Sequence, residues 1–157
     1  MTTIKLTTKI NANKQIVFDL SRNIDLHQLS MKSSKEKAVD GTTSGLINLN
    51  DTVTFKGRHF GLYLTHHSKI TEMKLYNSFT DEMIKGQFKS FIHHHHFEED
   101  QGITTMIDKI IYEVPFGIVG RIFDYLILKR YMRNLIEKRN KVLTELSEKQ
   151  SDLVKPL

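Results

Sequence analysis

Between Ile4 and Ile10 apolar and polar positions alternate. Ile4, Leu6 and Ile10 share one face and Lys5 and Lys9 the other, the period-two pattern of a half-buried strand. Asn11-Ala12-Asn13 then offers a helix cap, after which Ile16, Val17 and Leu20 recur at helical spacing; Ile24, Leu26 and Leu29 predict a second short helix. From Ser30 to Asn50 the chain turns polar, with a short strand at Glu36 to Val39 and a flexible loop from Gly41 to Gly45, a natural candidate for a mobile lid. Period two returns at Asp51. Val53, Phe55, Gly57 and His59 share one face of a strand against Thr54, Lys56 and Arg58, so His59 is expected to point inward. Leu62 to Met73, Tyr76 to Ile84, Phe88 to Phe97 and Ile103 to Val114 predict four further strands, punctuated by Gly61, Leu75, Lys85-Gly86 and Gln101-Gly102. Pro115-Phe116-Gly117 ends the sheet, and a helix follows from about Ile118 to Ser147. Phe123, Leu126, Leu128, Met132, Leu135, Val142 and Leu146 form its apolar stripe, and Glu137 with Lys141 and Glu145 with Lys149 support its outer face.

The order is therefore strand, two short helices, a run of antiparallel strands and one long C-terminal helix: an α+β domain. A curved sheet must cover its concave face, and only the last helix is long and amphipathic enough to do so. A sheet wrapped round a helix tends to leave a concave, mostly apolar space with a few polar groups, the usual form of a ligand site. One domain is expected over residues 1–149, with a frayed tail over 150–157. The phase of three strands stays open. In Phe88 to Phe97 either face fits, and the one with two phenylalanines puts Phe91, His93, His95 and Phe97 inward. Met106, Asp108, Ile110 and Tyr112 oppose Ile107, Lys109, Ile111 and Glu113, and the first set carries fewer charges. Phe79, Asp81 and Met83 oppose Thr80, Glu82 and Ile84 without a decisive preference.

Composition narrows the function classes. The chain has 157 residues and no cysteine, which excludes a disulfide scaffold, a thiol nucleophile and any thiolate-held metal. Its start lacks the basic-then-apolar pattern of a signal peptide, and Arg121, Asp124, Lys129 and Arg130 interrupt its most apolar region, so a cytoplasmic protein is expected. The net charge of +5 is mild, and without a basic stripe interleaved with aromatics no nucleic-acid partner is expected.

Several segments occur in a telling order: Val53-Thr54-Phe55, His59-Phe60-Gly61, Phe79-Thr80-Asp81-Glu82-Met83, Lys85-Gly86-Gln87-Phe88, His93-His94-His95-His96-Phe97, Asp108-Lys109-Ile110-Ile111-Tyr112 and Pro115-Phe116-Gly117. They resemble bacterial ligand-binding proteins of the START-related superfamily, also called SRPBCC or polyketide cyclase/dehydrase-like, over nearly the whole chain. The resemblance implies a helix-grip fold, in which a curved antiparallel sheet grips the C-terminal helix around a hydrophobic cavity. That superfamily includes lipid carriers, hormone and steroid binders, aromatase/cyclases and enzyme subunits. One departure is Phe91, where many such relatives carry tryptophan.

The expected function is the binding of a small hydrophobic molecule, a lipid or polyketide-like compound, between sheet and helix. Phe55, Phe79, Phe91, Phe97 and the helix stripe would supply apolar surface; Met83 and Met106 would fill core or cavity. His59, His93, His95, Asp81, Asp108 and Tyr112 would orient a polar end. Two alternatives remain. In a cyclase or dehydratase, His93 or His95 with Asp108 would act as a general base and Tyr112 as a proton donor. In an interaction module with a vestigial cavity, the basic helix around Arg130 and Arg133 would recruit a partner. His93 and His95 at alternate positions permit two imidazoles to converge on a metal, with His59 and Asp108 or Asp81 to complete the shell. No further spacing enforces that, so no metal and no cofactor are expected. Membrane contact is not expected either: Lys129, Arg130, Arg133, Lys138, Arg139 and Lys141 read as a solvated helix face.

Overall fold

The structure, a computed structural model, describes residues 1–154. Its first strand, β1 (Thr2–Ile10), leads into α1 (Lys14–Ser21) and α2 (Ile24–Ser30). Asparagine caps both helices: Asn13 accepts from the Ile16 amide at 3.0 Å and Asn23 from the Leu26 amide at 3.1 Å, satisfying donors that a helix start leaves free. A single 3₁₀ turn (Lys32–Ser34) precedes β2 (Lys37–Gly41). The meander follows as β3 (Thr52–His59), β4 (Leu62–Lys74), β5 (Ser78–Lys85), β6 (Ser90–Asp100) and β7 (Ile103–Glu113). The seven strands form one antiparallel sheet in the order β1-β7-β6-β5-β4-β3-β2, so the first strand pairs with the last. Register shifts at His67/Ser68 and Ile70/Glu72 in β4 bend the sheet. Across its concave face runs the helix α3 (Gly117–Phe123), a π-helical turn (Asp124–Leu128) and α4 (Lys129–Val154). This is the helix-grip arrangement.

Pairing settles the open strand phases. Asp81 lies opposite His93, and His95 opposite Asp108, which puts Phe79, Asp81 and Met83 on the face that also carries Phe91, His93, His95, Phe97, Met106, Asp108 and Tyr112. Two apolar clusters pack between that face and the helix. One joins Phe18, Phe79, Phe97, Met106 and Leu143 beneath α1. The other joins Ile4, Phe91, Ile110, Tyr112, Leu128 and Ile136. Each buried Phe or Leu there contributes about 2 kcal/mol by leaving water.

Three expectations need correction. The π-helical turn inserts an extra residue and rotates the helix, so the buried line runs through Gly120, Asp124, Leu128, Leu135, Ile136 and Leu143. Phe123 and Leu126, expected in the apolar stripe, are 39% and 65% exposed instead. Glu137 pairs back to Arg133 at 2.9 Å, rather than forward to Lys141. Within the Ser30 to Asn50 segment, Ile47 and Asn48 accept from Arg22, and the Gly45 carbonyl accepts from the Ile24 amide. The last helix runs past residue 149 to Val154, so positions 150–154 of the expected tail are helical, while 155–157 lie outside the described residues. Among the described residues no helix is long and apolar enough to cross a membrane.

Candidate functional site

A belt of polar side chains crosses the concave face between the two apolar clusters. At one end β6 and β7 alternate so that His93, His95 and Asp108 all point inward. Asp108 Oδ1 accepts from His93 Nε2 at 2.9 Å, and its Oδ2 accepts from Asn140 Nδ2 at 2.7 Å. His95 Nε2 donates to Asp81 Oδ2 at 3.2 Å. The second nitrogen of His95 sits 3.0 Å from Asp108 Oδ1 but off hydrogen-bond alignment, which leaves Nδ1 without a partner of its own. The two imidazoles lie with centroids 3.8 Å apart and planes tilted by 36°, and Phe79 stacks on His95 at 4.1 Å. Arg139 places Nη1 3.5 Å from Asp108 and donates Nη2 to the Ser21 carbonyl.

Burial and neighbours fix the charges. Burial holds the His93 ring down to about 4, aided by neighbouring His95 and opposed by Asp108, so His93 is neutral near pH 7. Burial works against the Asp81 charge, but the His95 hydrogen bond and the nearby His93 outweigh it and bring its carboxyl to about 2. Asp108 is likewise driven well below the usual range, its burial outweighed by the hydrogen bond from His93 and the close approach of His95. Asp81, His93 and His95 each present one ligand atom within 4.8 Å of the others. In the structure these atoms are engaged with one another and with Asp108.

At the other end of the belt stands a second cluster. Glu36, just after the 3₁₀ turn, receives His27 Nε2 at 2.9 Å and lies 3.5 Å from His59 Nε2. Gly57 makes this possible, because a Cβ there would stand 2.5 Å from Glu36 Cγ. The other nitrogen of His59 accepts from the Tyr131 hydroxyl at 2.8 Å. Burial opposes the Glu36 charge, but hydrogen bonds from both histidines hold its carboxyl far below the usual range. Tyr131 is pushed up by burial and by the Glu36 charge. His66 lies between the clusters, its ring 5.1 Å from Phe91, and burial lowers its affinity for a proton.

The two ends differ in access. Inward side chains on β6, β7 and β1 are sealed: His95 retains 3% and Asp108 1% of its side-chain surface. Inward side chains on β3 to β5 are not. Asp81 retains 20% and His59 19%, and Phe55, His66 and Met83 are half-buried. Phe55, His59, His66, Asp81 and Met83 are thus the inward side chains that keep part of their surface, with buried His93 beside Asp81. Two surface depressions, of about 400 and 310 Å³, lie elsewhere, one beside α1 and α2 and one at the corner of β7 and α3. Neither includes a histidine.

The sequence-predicted residues thus divide. Phe55, His59, Asp81 and Met83 are partly exposed on the inward face, with His93 buried beside Asp81. Phe97 and Met106 belong to the packed cluster beneath α1, and Asp108 is its sealed neighbour. Tyr112 stands apart from the histidines: its hydroxyl donates to buried Asp124 at 2.5 Å, and burial with that carboxylate raises it far above the usual range. Glu36, His27, His66, Tyr131, Asp124, Arg139 and Asn140 were not anticipated. Helical spacing could have found Arg139 and Asn140, which fall on the Leu135–Ile136–Leu143 seam. Glu36 lies in a segment without periodicity, and only its contact with Gly57 marks it.

No protein-family model matches the sequence, and no curated protein matches it either. Solved structures do share its fold. TTHA0849 from Thermus thermophilus aligns with a TM-score of 0.75 at 16% identity, over 92% of this chain and 95% of that one. CV1439 from Chromobacterium violaceum gives 0.70 at 10%, over 93% and 96%. The major latex-like protein 151 of Panax ginseng gives 0.67 at 14%, over 93% and 97%. At these identities the likeness is one of fold alone, and the fold is the helix grip.

Proposed function

We propose that the protein binds a small, mostly apolar molecule with one polar end in a cleft between β3–β5 and the C-terminal helix. The observation that carries this is the unequal sealing of the concave face. Polar side chains on β6 and β7 are sealed among one another, whereas Asp81, His59 and His66 keep accessible surface beside Phe55 and Met83. Apolar walls supply a driving force of about 25 cal/mol per Å² buried, and the polar groups set orientation through hydrogen bonds of about 1 kcal/mol each. Resemblance of the sequence to the START-related superfamily supports the same reading, with a lipid or polyketide-like compound as the class of ligand. The domain carrying this cleft is residues 1–149 as a single unit.

Native mass spectrometry of freshly purified, untagged protein, compared with the same sample denatured, tests the proposal. Extra mass released as an intact organic compound is the expected result. A bare chain mass, together with no saturable uptake of the apolar fluorophore anilinonaphthalene sulfonate, overturns it. For the fluorophore, Phe55→Ala and Met83→Ala are expected to weaken uptake while leaving the fold intact.

A further inference from the structure

We propose that the apolar surface formed by α3, the π-helical turn and the tip of the β3–β4 hairpin docks on a bilayer that contains anionic lipid. This reverses the expectation drawn from the sequence, and it stands independently of the ligand reading. Helix rotation at the π-helical turn buries Gly120, Asp124 and Leu128 and turns the bulky residues between them outward. Ile118 is 72% exposed, Ile122 55%, Tyr125 84% and Leu126 65%. At the hairpin tip Phe60 is 51% and Leu62 66% exposed, and the Phe60 ring meets Phe123 at 5.6 Å, so helix and hairpin form one surface. Contiguous apolar patches of this kind are rare on soluble monomers and mark interaction sites.

Backbone conformation adds to the case. Phe60 and Phe116 both adopt the left-handed region, at φ of 51° and 67°, which bulky residues seldom enter. Phe60 finds internal contact with Phe123 and Tyr131, whereas Phe116 is 83% exposed, and an apolar medium outside the fold would accept it.

Charge selects the occupant. Arg121, Lys129 and Arg130 are exposed around the apolar residues, while Arg133 pairs with Glu137 at 2.9 Å, and the sole carboxylate between Val114 and Ile136 is Asp124, which is 5% exposed and bonded to Tyr112 and Thr2. A second copy of the chain would bring cations against cations. Anionic headgroups would meet them favourably, with apolar side chains below and Tyr125 at the interface, the arrangement of a helix lying in the plane of a membrane. The same surface adjoins the cleft, since Phe60 also packs on Tyr131 at 4.5 Å.

Flotation of the full chain with phosphatidylcholine vesicles, with and without phosphatidylglycerol, tests this. Binding is expected on the anionic vesicles, weakened about fivefold for each of Arg121→Glu, Lys129→Glu and Arg130→Glu and relieved by high salt. Ile122→Asp with Leu126→Asp, both at exposed positions, is expected to lower binding on the order of tenfold or more. The chain has no tryptophan, so Ile122→Trp gives a single reporter whose emission shifts to the blue on anionic vesicles and which does not depend on a loss-of-binding variant folding. Three results overturn the proposal: no flotation and no emission shift; flotation unchanged by the aspartate pair; or a wild-type dimer in sedimentation velocity that the aspartate pair returns to monomer, without vesicle binding.

Discussion

The two halves of the concave face share one sheet and one helix, yet they solve the problem of inward polar groups in opposite ways. On the β6-β7-β1 side α4 lies close, water is excluded, and every polar atom must find protein. Asp108 accordingly meets His93, His95, Asn140 and Arg139. On the β3–β5 side Tyr131 of the helix meets His59 at 2.8 Å, yet His59, His66 and Asp81 keep part of their surface. The same residue types are therefore sealed on one side and partly exposed on the other. Residue identity did not decide this; the neighbours that each strand's place in the sheet supplies did.

The largest test of that contrast is Asp108→Ala against Asp81→Ala. Removing Asp108 strands the buried donors of His93 and Asn140 and is expected to destabilise the fold by about 4 kcal/mol, the range for breaking a buried charge network. Removing Asp81, which keeps 20% of its side-chain surface, is expected to cost about 2 kcal/mol, because water can reach His95 from the cleft. Guanidinium unfolding measures both. Equal losses would mean that the cleft is no wetter than the core.

A second pair separates packing from binding. Phe97 is 2% exposed and touches Phe18 and Phe79, so Phe97→Ala is expected to cost about 4 kcal/mol. Phe55 is half-buried and stacks on His27 at 4.2 Å, and Phe55→Ala is expected to cost about 1.5 kcal/mol. Fluorophore uptake per folded molecule is expected to move the other way, falling with Phe55→Ala and holding with Phe97→Ala.

How much of this was legible beforehand follows from the same contrast. The phase of β3 could be read because Lys56 and Arg58 mark its outer face. In β5, Phe79 and Thr80 gave no such marker, and the choice came from Asp81 pairing with His93, a partner on the next strand that no local pattern names. The histidines of β6 were found because two phenylalanines flank them. Glu36 was missed, since its role depends on Gly57 across a strand pair. The exposed α3 surface was missed for a different reason. The expected stripe included Phe123 and Leu126 although, at 3.6 residues per turn, they lie well off the side that Leu128, Leu135 and Leu143 share; what a uniform period could not give is the inserted residue of the π-helical turn, which brings Gly120 and Asp124 to that side.

Acid sharpens the comparison by a smaller amount. His93 falls to about 4 in the fold from an ordinary value of 6.5, so between those values the unfolded chain binds a proton that the native one does not. Stability is then full above pH 6.5 and declines as pH falls toward 4, by on the order of 2 kcal/mol. His93→Gln is expected to remove that decline, read from urea midpoints at pH 7 and pH 4.5. The Asp81 contribution lies lower, from 3.8 down to about 2, and should remain in the variant. A decline in that window which persists without His93 would assign it to His66, whose affinity for a proton burial also lowers.

The smallest effect is also the most direct probe of water in the cleft. Tyr112 and Tyr131 each donate one hydrogen bond, at 2.5 Å to Asp124 and 2.8 Å to His59. Tyr112→Phe leaves a buried carboxylate with only Thr2 as a side-chain donor and is expected to cost about 2 kcal/mol, the range for a hydrogen bond to a charged group. Tyr131→Phe leaves His59 Nδ1 facing a cleft where water can replace the hydroxyl, and the expected cost is about 0.5 kcal/mol. Each substitution deletes the same oxygen, so the difference between them reports the acceptor, a buried carboxylate against an imidazole, together with access to water. A difference near zero would close the cleft and with it the case for a ligand there.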